Sequence, residues 1–296
     1  MDGCICCPRR CGVDRNMQAG FCGAGVLPRV ARAALHFWEE PMFSGTRGSG
    51  TVFFSGCSLR CIFCQNADIS ARQKGEECNA DRLADLFLML QEQGAHNINL
   101  VTPTPHILTI RPAIQKARER GLRIPTLYNS GGYETVEALQ TLDGLIDIYL
   151  PDLKYVSPVV SKKFSSAENY FAFAAPALSE MYRQAGDLRL DENGIAISGL
   201  VIRHLVLPGC LDETRKVLDY INEVHSKNTW ISLMRQYTPM TEGLPSPLNR
   251  CLTAREYERA VSYCLQLGFT NVLLQEEDAA DSSFTPAFYE SLSSSS

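Results

Sequence analysis

Short apolar segments and amphipathic segments alternate along the chain after residue 50. Apolar runs bounded by turn residues are typical of buried strands, while apolar residues three and four positions apart indicate helices. The predicted strands are 51–55, 98–102, 125–129, 146–150, 200–207 and 229–233. The predicted helices begin after Asn79 and then cover 107–119, 134–142, 170–184, 211–225 and 253–267. A strand followed by a helix, repeated in this way, predicts an α/β fold whose parallel sheet is covered by helices.

Local signals support this pattern at two places. Asn79 is a good N-cap for the first helix, and Gly94 ends it. Between them, apolar residues recur at helical spacing, namely Leu83, Leu86, Phe87 and Leu90. A β-hairpin is predicted near 189–197, because Asp-Glu-Asn-Gly at 191–194 supplies a turn.

The composition is that of an ordinary globular protein and excludes several classes. The chain has 296 residues, of which 45% are hydrophobic and 21% charged, and its formal net charge is −5. It contains no long basic run, so we expect no nucleic-acid partner. No apolar run approaches the roughly 18 residues of a membrane span, and the start lacks a signal-peptide pattern, so we expect a cytoplasmic protein. Twelve cysteines in a reducing compartment indicate metal binding rather than disulfides.

Three cysteines lie in one short run directly after the first predicted strand. Cys57, Cys61 and Cys64 have the spacing C-x3-C-x2-C. Three thiolates so close together cannot all form disulfides with one another, and they are one short of a closed four-ligand site. A 4Fe–4S cube on three cysteines keeps one iron open for a small molecule. The alternatives are a fortuitous triplet or part of a zinc knuckle, which would require a second C-x2-C or a histidine pair at matching distance.

A second group of cysteines lies at the N-terminus. Cys4, Cys7, Cys11 and Cys22 have the spacing C-x2-C-x3-C-x10-C. Four thiolates suit a closed iron–sulfur or zinc site, and the spacing does not distinguish between these metals. Cys6 in place of Cys4 or Cys7 is an alternative assignment. A flexible terminus with free thiols is the other alternative.

The run 57–64 resembles the cluster motif of the radical S-adenosylmethionine (SAM) superfamily, including the aromatic residue Phe63 before the last cysteine. The resemblance implies that SAM chelates the open iron through its amino and carboxylate groups. It also implies that the reduced cluster cleaves SAM to a 5′-deoxyadenosyl radical, which abstracts hydrogen from the substrate. In such an enzyme the cofactor carries the chemistry, and the protein contributes placement and exclusion of water. The implied partner is a reductant protein such as flavodoxin or ferredoxin.

Further motifs resemble a subgroup related to pyruvate formate-lyase activating enzyme. These motifs are Cys-x-x-Cys-Pro-Arg-x-Cys-Gly-Val-Asp-Arg from residue 4, Gly-x-Cys-Gly from residue 20, Glu39-Glu40-Pro41 and Gly48-Ser49-Gly50. The resemblance implies a partial parallel (β/α)6 barrel over residues 48–286. We expect residues 1–47 to form an irregular, metal-stapled extension and residues 287–296 to form a polar tail.

Polar residues follow the predicted strands, where parallel barrels hold their active sites. By resemblance, Asp152-x-Lys154 matches an Asp-x-Lys element that contacts the methionine part of SAM. Arg203, followed by Leu-Val-Leu-Pro-Gly, matches the element on the fifth strand. We also expect Asn129, at the end of the third strand, to contact the cofactor. Ordinary turn chemistry explains any one of these residues, but it does not explain several charged groups at one predicted mouth.

The chain departs from activating enzymes after the second strand. Those enzymes carry Gly-Gly-Glu there to hold the amino group of SAM, whereas this chain has Thr-Pro-Thr-Pro-His at 102–106. We expect Thr102 and Thr104 to accept hydrogen bonds from the SAM ammonium, with His106 beside them. Glu39 and Glu40 either line the mouth or belong to a solvated charged face.

The leading functional hypothesis is a radical SAM enzyme that abstracts hydrogen from a glycyl residue or another polypeptide substrate. A second hypothesis is a maturase or small-molecule enzyme that uses the N-terminal metal site. A third is a non-catalytic iron–sulfur or zinc interaction protein, since the Gly-Gly-Glu element is missing.

Overall fold

The computed structural model of the protein describes residues 3–70, 74–225, 227–275 and 288. Its strands are β1 (Arg29–His36), β2 (Ser49–Phe54), β3 (Glu76–Glu77), β4 (Ile98–Val101), β5 (Thr126–Ser130), β6 (Ile148–Pro151), β7 (Arg189–Leu190), β8 (Ala196–Leu205), β9 (Trp230–Met234) and β10 (Val272–Leu274). Its helices are α1 (Pro41–Ser44), α2 (Ala67–Ser70), α3 (Ala80–Glu92), α4 (Ile107–Glu119), α5 (Val136–Gln140), α6 (Pro158–Ser165), α7 (Tyr170–Ala185), α8 (Leu211–Val224) and α9 (Ala254–Gln266). Within these ranges no helix has both the length and the apolar character needed to cross a membrane.

The strands form one mixed sheet with the order β10-β9-β8-β6-β5-β4-β2-β1-β3, and β7 pairs with β8 at the side. The central strands, from β2 to β10 along this order, run parallel, while β1 is antiparallel to β2. Among the described strands β10 and β3 do not pair, so the sheet is not closed. The prediction of an α/β fold with an open, mostly parallel barrel is therefore confirmed.

The elements agree with the periodicity where apolar runs are long. Helix α4 has the predicted bounds, and Asn79 caps α3 by accepting a hydrogen bond from the Arg82 amide. The predicted hairpin is present, because β7 pairs antiparallel with the start of β8. However, β8 begins several residues before the predicted fifth strand and bends at Gly199, whose φ of +120° favours glycine.

The structure adds elements that the sequence analysis did not assign. Strand β1 lies inside the extension that was expected to be irregular, and it pairs with β2. Arg29 and Arg32 interrupt its apolar pattern, and only two of its residues are buried. The alternation of apolar and polar residues therefore indicates a strand only weakly here. Strand β10 is short, and α6 follows the fourth parallel strand. Residues 3–28 contain no helix or strand.

Two apolar layers flank the sheet. The larger layer lies between the sheet and helices α3 to α9, with Tyr128 and Leu200 among its buried members. The smaller layer is formed by α1, whose Met42 and Phe43 pack against residues of β5, β6 and β8. The Asn97 side chain, just before β4, donates a hydrogen bond to the Phe43 carbonyl at 2.8 Å. Helix α1 therefore plugs the end of the barrel at which these strands begin.

Phe288 is buried and packs edge-on against Phe53, with 5.3 Å between ring centroids. It lies within the segment 287–296 for which we predict a polar tail, and the burial of this one ring differs from the rest of that expectation. An aromatic side chain gains more from burial against another ring than from exposure to water. The other residues of the expected tail lie outside the described part of the chain.

Candidate active site

The loop that carries the three closely spaced cysteines begins directly after β2. Gly56 turns the chain with a φ of +92°, and a Cβ atom at this position would lie 2.8 Å from the Cys22 carbonyl oxygen. The Cys57 amide donates to the same carbonyl at 3.2 Å. Further along the loop, the Arg60 amide donates to the Ser165 carbonyl at 3.2 Å. The loop is thus held between the N-terminal extension and the end of α6.

Cys57, Cys61 and Cys64 lie together on this loop, and all three side chains are partly exposed. The Cys61 Sγ is 3.0 Å from the Ser165 Oγ, and the Cys64 Sγ is 3.5 Å from the Ser70 Oγ. Burial raises the pKa of Cys57, and the charges of Cys61 and Cys64 raise it further. Thiols in this situation become stable thiolates only when a metal compensates their charge. Three thiols on one loop are the donor type of an iron–sulfur cluster with three protein ligands. In the part of the chain that the structure describes, no three such side chains converge on one point, so these cysteines as cluster ligands stay a prediction.

Charged groups at the end of β6 face this loop. The Lys154 Nζ donates to the Asp152 Oδ2 at 2.5 Å, and the Asp152 Oδ1 lies 3.3 Å from the Arg203 Nε. Burial tends to raise the pKa of Asp152, but Lys154 and Arg203 outweigh it, so this pKa is lowered. For Lys154, burial is outweighed by Asp152 and then by Cys61, and its pKa is raised. The predicted residues Asp152, Lys154 and Arg203 are thus brought together beside the cysteine loop.

The guanidinium of Arg203 is also held from inside the barrel. Its Nη1 donates to the Glu39 Oε2 at 3.0 Å, and its Nη2 donates to the Asn129 Oδ1. The Asn99 Nδ2 donates to the Glu39 Oε1 at 3.0 Å. The Glu40 Oε2 lies 3.8 Å from the Arg203 Nη1. Glu39 and Glu40 are each only 10% exposed at the side chain, so the alternative of a solvated charged face is wrong for both.

The loop after β4, which replaces Gly-Gly-Glu, is held by a carboxyl group beneath it. Thr102 has a φ of +58°, a conformation that is strained for a β-branched residue. The Thr104 Oγ1 donates to the Glu134 Oε1 at 2.6 Å, and the Tyr128 hydroxyl donates to the Glu134 Oε2 at 3.1 Å. Burial raises the pKa of Glu134 to about 7, although these hydroxyls and Ser130 oppose the rise. The Thr104 hydroxyl, predicted to contact SAM, is therefore already engaged.

His106 and Phe63 make structural contacts. The pKa of His106 is lowered to about 4 by burial, so its imidazole is neutral at pH 7, and Nε2 donates to the Ser55 carbonyl at 2.8 Å. The ring of Phe63 is buried and meets Tyr237 edge-on, with 6.0 Å between centroids. Both side chains pack within the fold next to the strand ends, and a contact of either with SAM stays a prediction.

The cysteines of the N-terminal extension are gathered by backbone hydrogen bonds. The Cys4 amide donates to the Val13 carbonyl at 3.0 Å, and the Gly12 amide donates to the Cys4 carbonyl at 3.1 Å. The thiol of Cys4 is hydrogen-bonded with those of Cys6 and Cys11. A Cβ atom on Gly20 would lie 3.4 Å from the Cys11 Sγ and 3.5 Å from the Cys22 Sγ, so both sulfurs lie next to this glycine.

The fifth cysteine of this group is Cys7. Burial raises its pKa to about 12, and the nearby charges of Cys22 and Cys4 also raise it. Within the described residues, no three histidine, cysteine or acidic side chains converge on a point where one metal ion would sit. Cys6 lies in the same group as Cys4, so the choice between them as a ligand stays open. A second metal site at the N-terminus therefore stays a prediction.

A cavity of about 890 Å³ separates this extension from the starts of α4 and α5. The Arg15 side chain crosses beside it, since Nη1 donates to the Pro105 carbonyl and Nη2 lies 3.9 Å from the Cys22 Sγ. The lining includes Cys4, Cys6, Arg15, His106, Leu108 and Glu137. The cavity therefore borders both the N-terminal thiols and the loop after β4.

Comparison with known proteins decides the family. The model of the radical SAM superfamily matches residues 51–234, from β2 to the end of β9. The chain belongs to this superfamily. Membership implies an enzyme of radical chemistry that uses a 4Fe–4S cluster and SAM. Cys57, Cys61 and Cys64 as the ligands of that cluster stay a prediction.

Two similar proteins extend the comparison. An uncharacterized protein of Methanocaldococcus jannaschii is 32% identical over 269 residues, which cover 87% of this chain and 73% of the relative. The crystal structure of Streptococcus suis SuiB bound to precursor peptide SuiA is 13% identical, with a TM-score of 0.49. That match covers 75% of this chain and 47% of SuiB, so the present chain spans about half the length of SuiB.

Sequence reasoning missed the inward-facing side chains that complete the site. Asn99 and Glu134 received no functional assignment, and Glu39 and Glu40 were left between two alternatives. A signal for Asn99 exists, because an asparagine inside the apolar strand Ile98–Val101 must find hydrogen-bond partners when buried. Glu134 carries no such signal, since its position before α5 is ordinary for an acidic residue at a helix start.

Proposed function

We propose that the protein reductively cleaves SAM at a 4Fe–4S cluster held by Cys57, Cys61 and Cys64, and that it abstracts hydrogen from a polypeptide substrate. The observation that carries this proposal is the placement of three thiols on one loop beside the Asp152–Lys154 pair. The motifs of the N-terminal half support an activating-enzyme-like role. A cytoplasmic setting and a flavodoxin- or ferredoxin-like reductant fit the same proposal.

When bound, the reduced cluster and SAM together supply a 5′-deoxyadenosyl radical that abstracts hydrogen. The residues of the chain bind SAM and orient it. Lys154 is the cation beside the cysteine loop, and we assign it to the carboxylate of SAM. Asp152 holds the Lys154 ammonium in place by accepting its hydrogen bond. Arg203 and Asn129 fix the inner wall next to this pair. Buried rings around the loop, such as Phe63, exclude water.

The open sheet supports a polypeptide as the substrate. Because β3 and β10 are not paired with each other among the described strands, a loop of a partner has a side from which to approach the inner face. Hydrogen abstraction requires only that one C–H group reaches the radical. A glycyl residue on an exposed loop satisfies this condition.

The first experiment tests the radical chemistry itself. The protein is reconstituted anaerobically, reduced with dithionite and given SAM, and 5′-deoxyadenosine and methionine are measured. We expect both products from the wild type and none from the Cys57→Ala/Cys61→Ala/Cys64→Ala variant. The Cys251→Ala variant is the control, because Cys251 is exposed and remote from the loop in sequence. Production of 5′-deoxyadenosine by the triple variant would refute the assignment.

The second experiment tests the role of Lys154. A charge-assisted hydrogen bond to a carboxylate is typically worth about 1.5–3 kcal/mol. Lys154→Met should therefore weaken SAM binding roughly tenfold or more while the absorption of the cluster is unchanged. Lys162→Met, on the exposed surface of α6, should leave both unchanged. Equal SAM affinity in Lys154→Met and wild type would rule out the assigned contact.

A small-molecule reaction with an auxiliary metal site is the second candidate. The observation in its favour is the 890 Å³ cavity that borders the N-terminal thiols. Incubation with SAM and candidate partner proteins, followed by electron paramagnetic resonance, distinguishes the candidates. A glycyl radical doublet supports the polypeptide substrate. Transfer of deuterium from a labelled metabolite into 5′-deoxyadenosine, without a protein radical, supports the small molecule.

A further inference from the structure

The inner face of the barrel carries more negative than positive side chains around Arg203. Three carboxylates, those of Glu39, Glu40 and Asp152, meet two cations, Arg203 and Lys154. We call Glu39, Glu40 and Asn99, together with Arg203, the barrel floor. Buried charges are stable when each one is paired and hydrogen-bonded. The floor therefore has one carboxylate more than its own cations neutralise.

Two hydrogen-bond acceptors of the floor have no donor. The Glu40 Oε2 and the Asn99 Oδ1 are buried and make no hydrogen bond, and the nearest floor cation to the Glu40 oxygen, Arg203 Nη1, lies 3.8 Å away. Ser232 hydrogen-bonds with the Glu40 carboxylate, whose pKa is raised by burial. A cation added beside Glu40 would therefore stabilise its charged form. Buried polar atoms nearly always have a partner, so each exception requires an explanation.

The orientation of the Asn99 amide is determined by its neighbour. Its Nδ2 donates to the Glu39 Oε1 at 3.0 Å. The opposite orientation would place the amide oxygen against the carboxylate, so two acceptors would face each other. The Asn99 Oδ1 must therefore be the unpartnered atom. A floor donor without a hydrogen bond, the Arg203 Nε, faces the Asp152 Oδ1 at 3.3 Å, so it serves neither Glu40 nor Asn99.

The floor is not sealed within the core. The side chains of Glu39, Glu40 and Arg203 keep between 10% and 14% exposure, and those of Lys154 and Asp152 keep 15% and 19%. All of them lie on the inner side of the sheet, next to the proposed SAM contacts. The exposed fraction of each side chain is the part that an entering group can contact.

The missing partner is a cation with several N–H donors. A metal ion is disfavoured, because both carboxylate oxygens of Glu39 are already taken by Asn99 and Arg203. A primary ammonium carries one positive charge and three donors, which match one surplus carboxylate and two unpartnered acceptors. It is also smaller than a guanidinium, as the limited exposure of the floor requires.

We propose that the barrel floor, through Glu40 and Asn99, binds a primary ammonium group of the substrate. The chemical class is an alkylammonium, as on a lysine side chain, a peptide N-terminus or a small amine. The inference rests on the proposed function, because it assumes that the substrate enters the barrel to meet the radical. It deepens that function by making Glu40 a specificity-determining residue rather than a group of the SAM site.

The test uses the reconstituted full chain saturated with SAM and n-butylammonium as the probe. Binding is measured by ligand-observed nuclear magnetic resonance and compared with 1-butanol, which is neutral, and with butyltrimethylammonium, which has the charge but no N–H donor. We expect n-butylammonium to bind at least tenfold more tightly than either. Glu40→Gln should abolish this preference, and Glu77→Gln, an exposed carboxylate of β3, should keep it.

A second variant covers the case in which Glu40→Gln does not fold. Glu40→Asp keeps the charge but withdraws it by one methylene, so the preference for n-butylammonium should fall severalfold while 1-butanol binding is unchanged. Asn99→Ala should also reduce the preference. Equal binding of n-butylammonium and 1-butanol to the wild type overturns the proposal, as does a preference that survives in Glu40→Gln.

Displacement of SAM by n-butylammonium also overturns it, since the floor would then hold the amino group of SAM. The result is separable from the proposed function, because SAM cleavage under dithionite is measured without the amine. Cleavage without amine preference removes only the floor proposal. Amine preference without SAM cleavage removes only the proposed reaction.

Discussion

At the scale of single residues, Arg203 connects the parts of the site. Its guanidinium contacts a residue of the extension, Glu39, a residue of β5, Asn129, and the residue that follows β6, Asp152. These partners lie in different directions, and only a planar fork of donors reaches all of them. Arg203 thus converts three separate elements into one rigid inner wall.

Arg203→Lys should therefore be strongly destabilising despite conserving the charge. A lysine reaches one partner and leaves buried acceptors unpaired, which typically costs about 3–5 kcal/mol when a buried pair is broken. Urea unfolding of both proteins measures the difference. Arg183→Lys is the matched control, because Arg183 is 55% exposed and bridges Asp143 and Glu180 at the surface. A loss no larger than that of the control would show that the fork geometry does not matter.

Glu134 should make the stability depend on pH. Its folded pKa is about 7, against an ordinary value of 4.5. Below about pH 4.5 both folded and unfolded states hold the proton, so the group contributes nothing there. Between 4.5 and 7 only the unfolded chain releases it, so stability falls as the pH rises. Above 7 the loss is constant at about 3 kcal/mol, at roughly 1.4 kcal/mol for each pH unit.

The measurement is the free energy of unfolding in urea between pH 4.5 and 8. The wild type should lose about 3 kcal/mol more than Glu134→Gln over this range. Glu137→Gln, one turn along and largely exposed, should follow the wild type. Parallel curves for the wild type and Glu134→Gln would mean that the carboxylate is already charged in the folded state.

At the scale of elements, the short helix α1 closes one end of the barrel. Its Met42 and Phe43 fill the end of the barrel, and the preceding Glu39 and Glu40 extend into the interior. Asn97 anchors the helix, because its amide donates to the Phe43 carbonyl and its oxygen accepts from Ser49 at 2.6 Å. The plug and the barrel floor are therefore consecutive parts of one segment.

Phe43→Ala should destabilise the protein by about 3–5 kcal/mol, since the removed ring leaves a cavity in the plug. Because the plug supports Glu39 and Glu40, SAM cleavage should also fall in this variant. Phe37→Ala is the matched control, because Phe37 is 50% exposed six residues earlier. Thermal unfolding and the 5′-deoxyadenosine assay measure the two effects. A Phe43 variant as stable as the control would mean that α1 is dispensable for the barrel.

At the scale of the whole molecule, the cysteine-rich extension is joined to the barrel around the site. Cys22 accepts a hydrogen bond from the cluster loop at Cys57, and the Arg9 Nε donates to the Ser58 carbonyl at 2.9 Å. Arg15 reaches the loop after β4 at Pro105. A metal in the extension would thus stabilise the two loops that border the proposed SAM position.

Metal analysis should detect two independent sites. The Cys57→Ala/Cys61→Ala/Cys64→Ala variant should lose SAM cleavage but keep the metal of the extension. Replacement of Cys4, Cys7, Cys11 and Cys22 with alanine should remove that metal and leave the absorption of the cluster on the other loop. Cys264→Ala, a buried cysteine of α9, should keep both. A triple variant that folds without any metal would refute the second site.

The strand-and-helix alternation could be read from the chain because each long apolar run satisfies a local rule. The spacing of Cys57, Cys61 and Cys64 is likewise local, so the sequence alone determined the α/β class and predicted which thiols hold the cluster of the superfamily. Strand β1 was not predicted, because its two arginines interrupt the alternation of apolar and polar residues. Its extended conformation is stabilised by pairing with β2, which the local sequence does not show.

The inner wall was decided by the tertiary structure alone. Glu39 and Arg203 are 164 positions apart in the sequence, yet they form a buried ion pair at 3.0 Å. Glu134 similarly meets Thr104 across two strand ends. No pattern within one segment reports on a partner in another, because the pKa and burial of a carboxyl depend on everything that packs around it. The sequence determined which groups the chain possesses, and the fold decided which of them face each other inside the barrel.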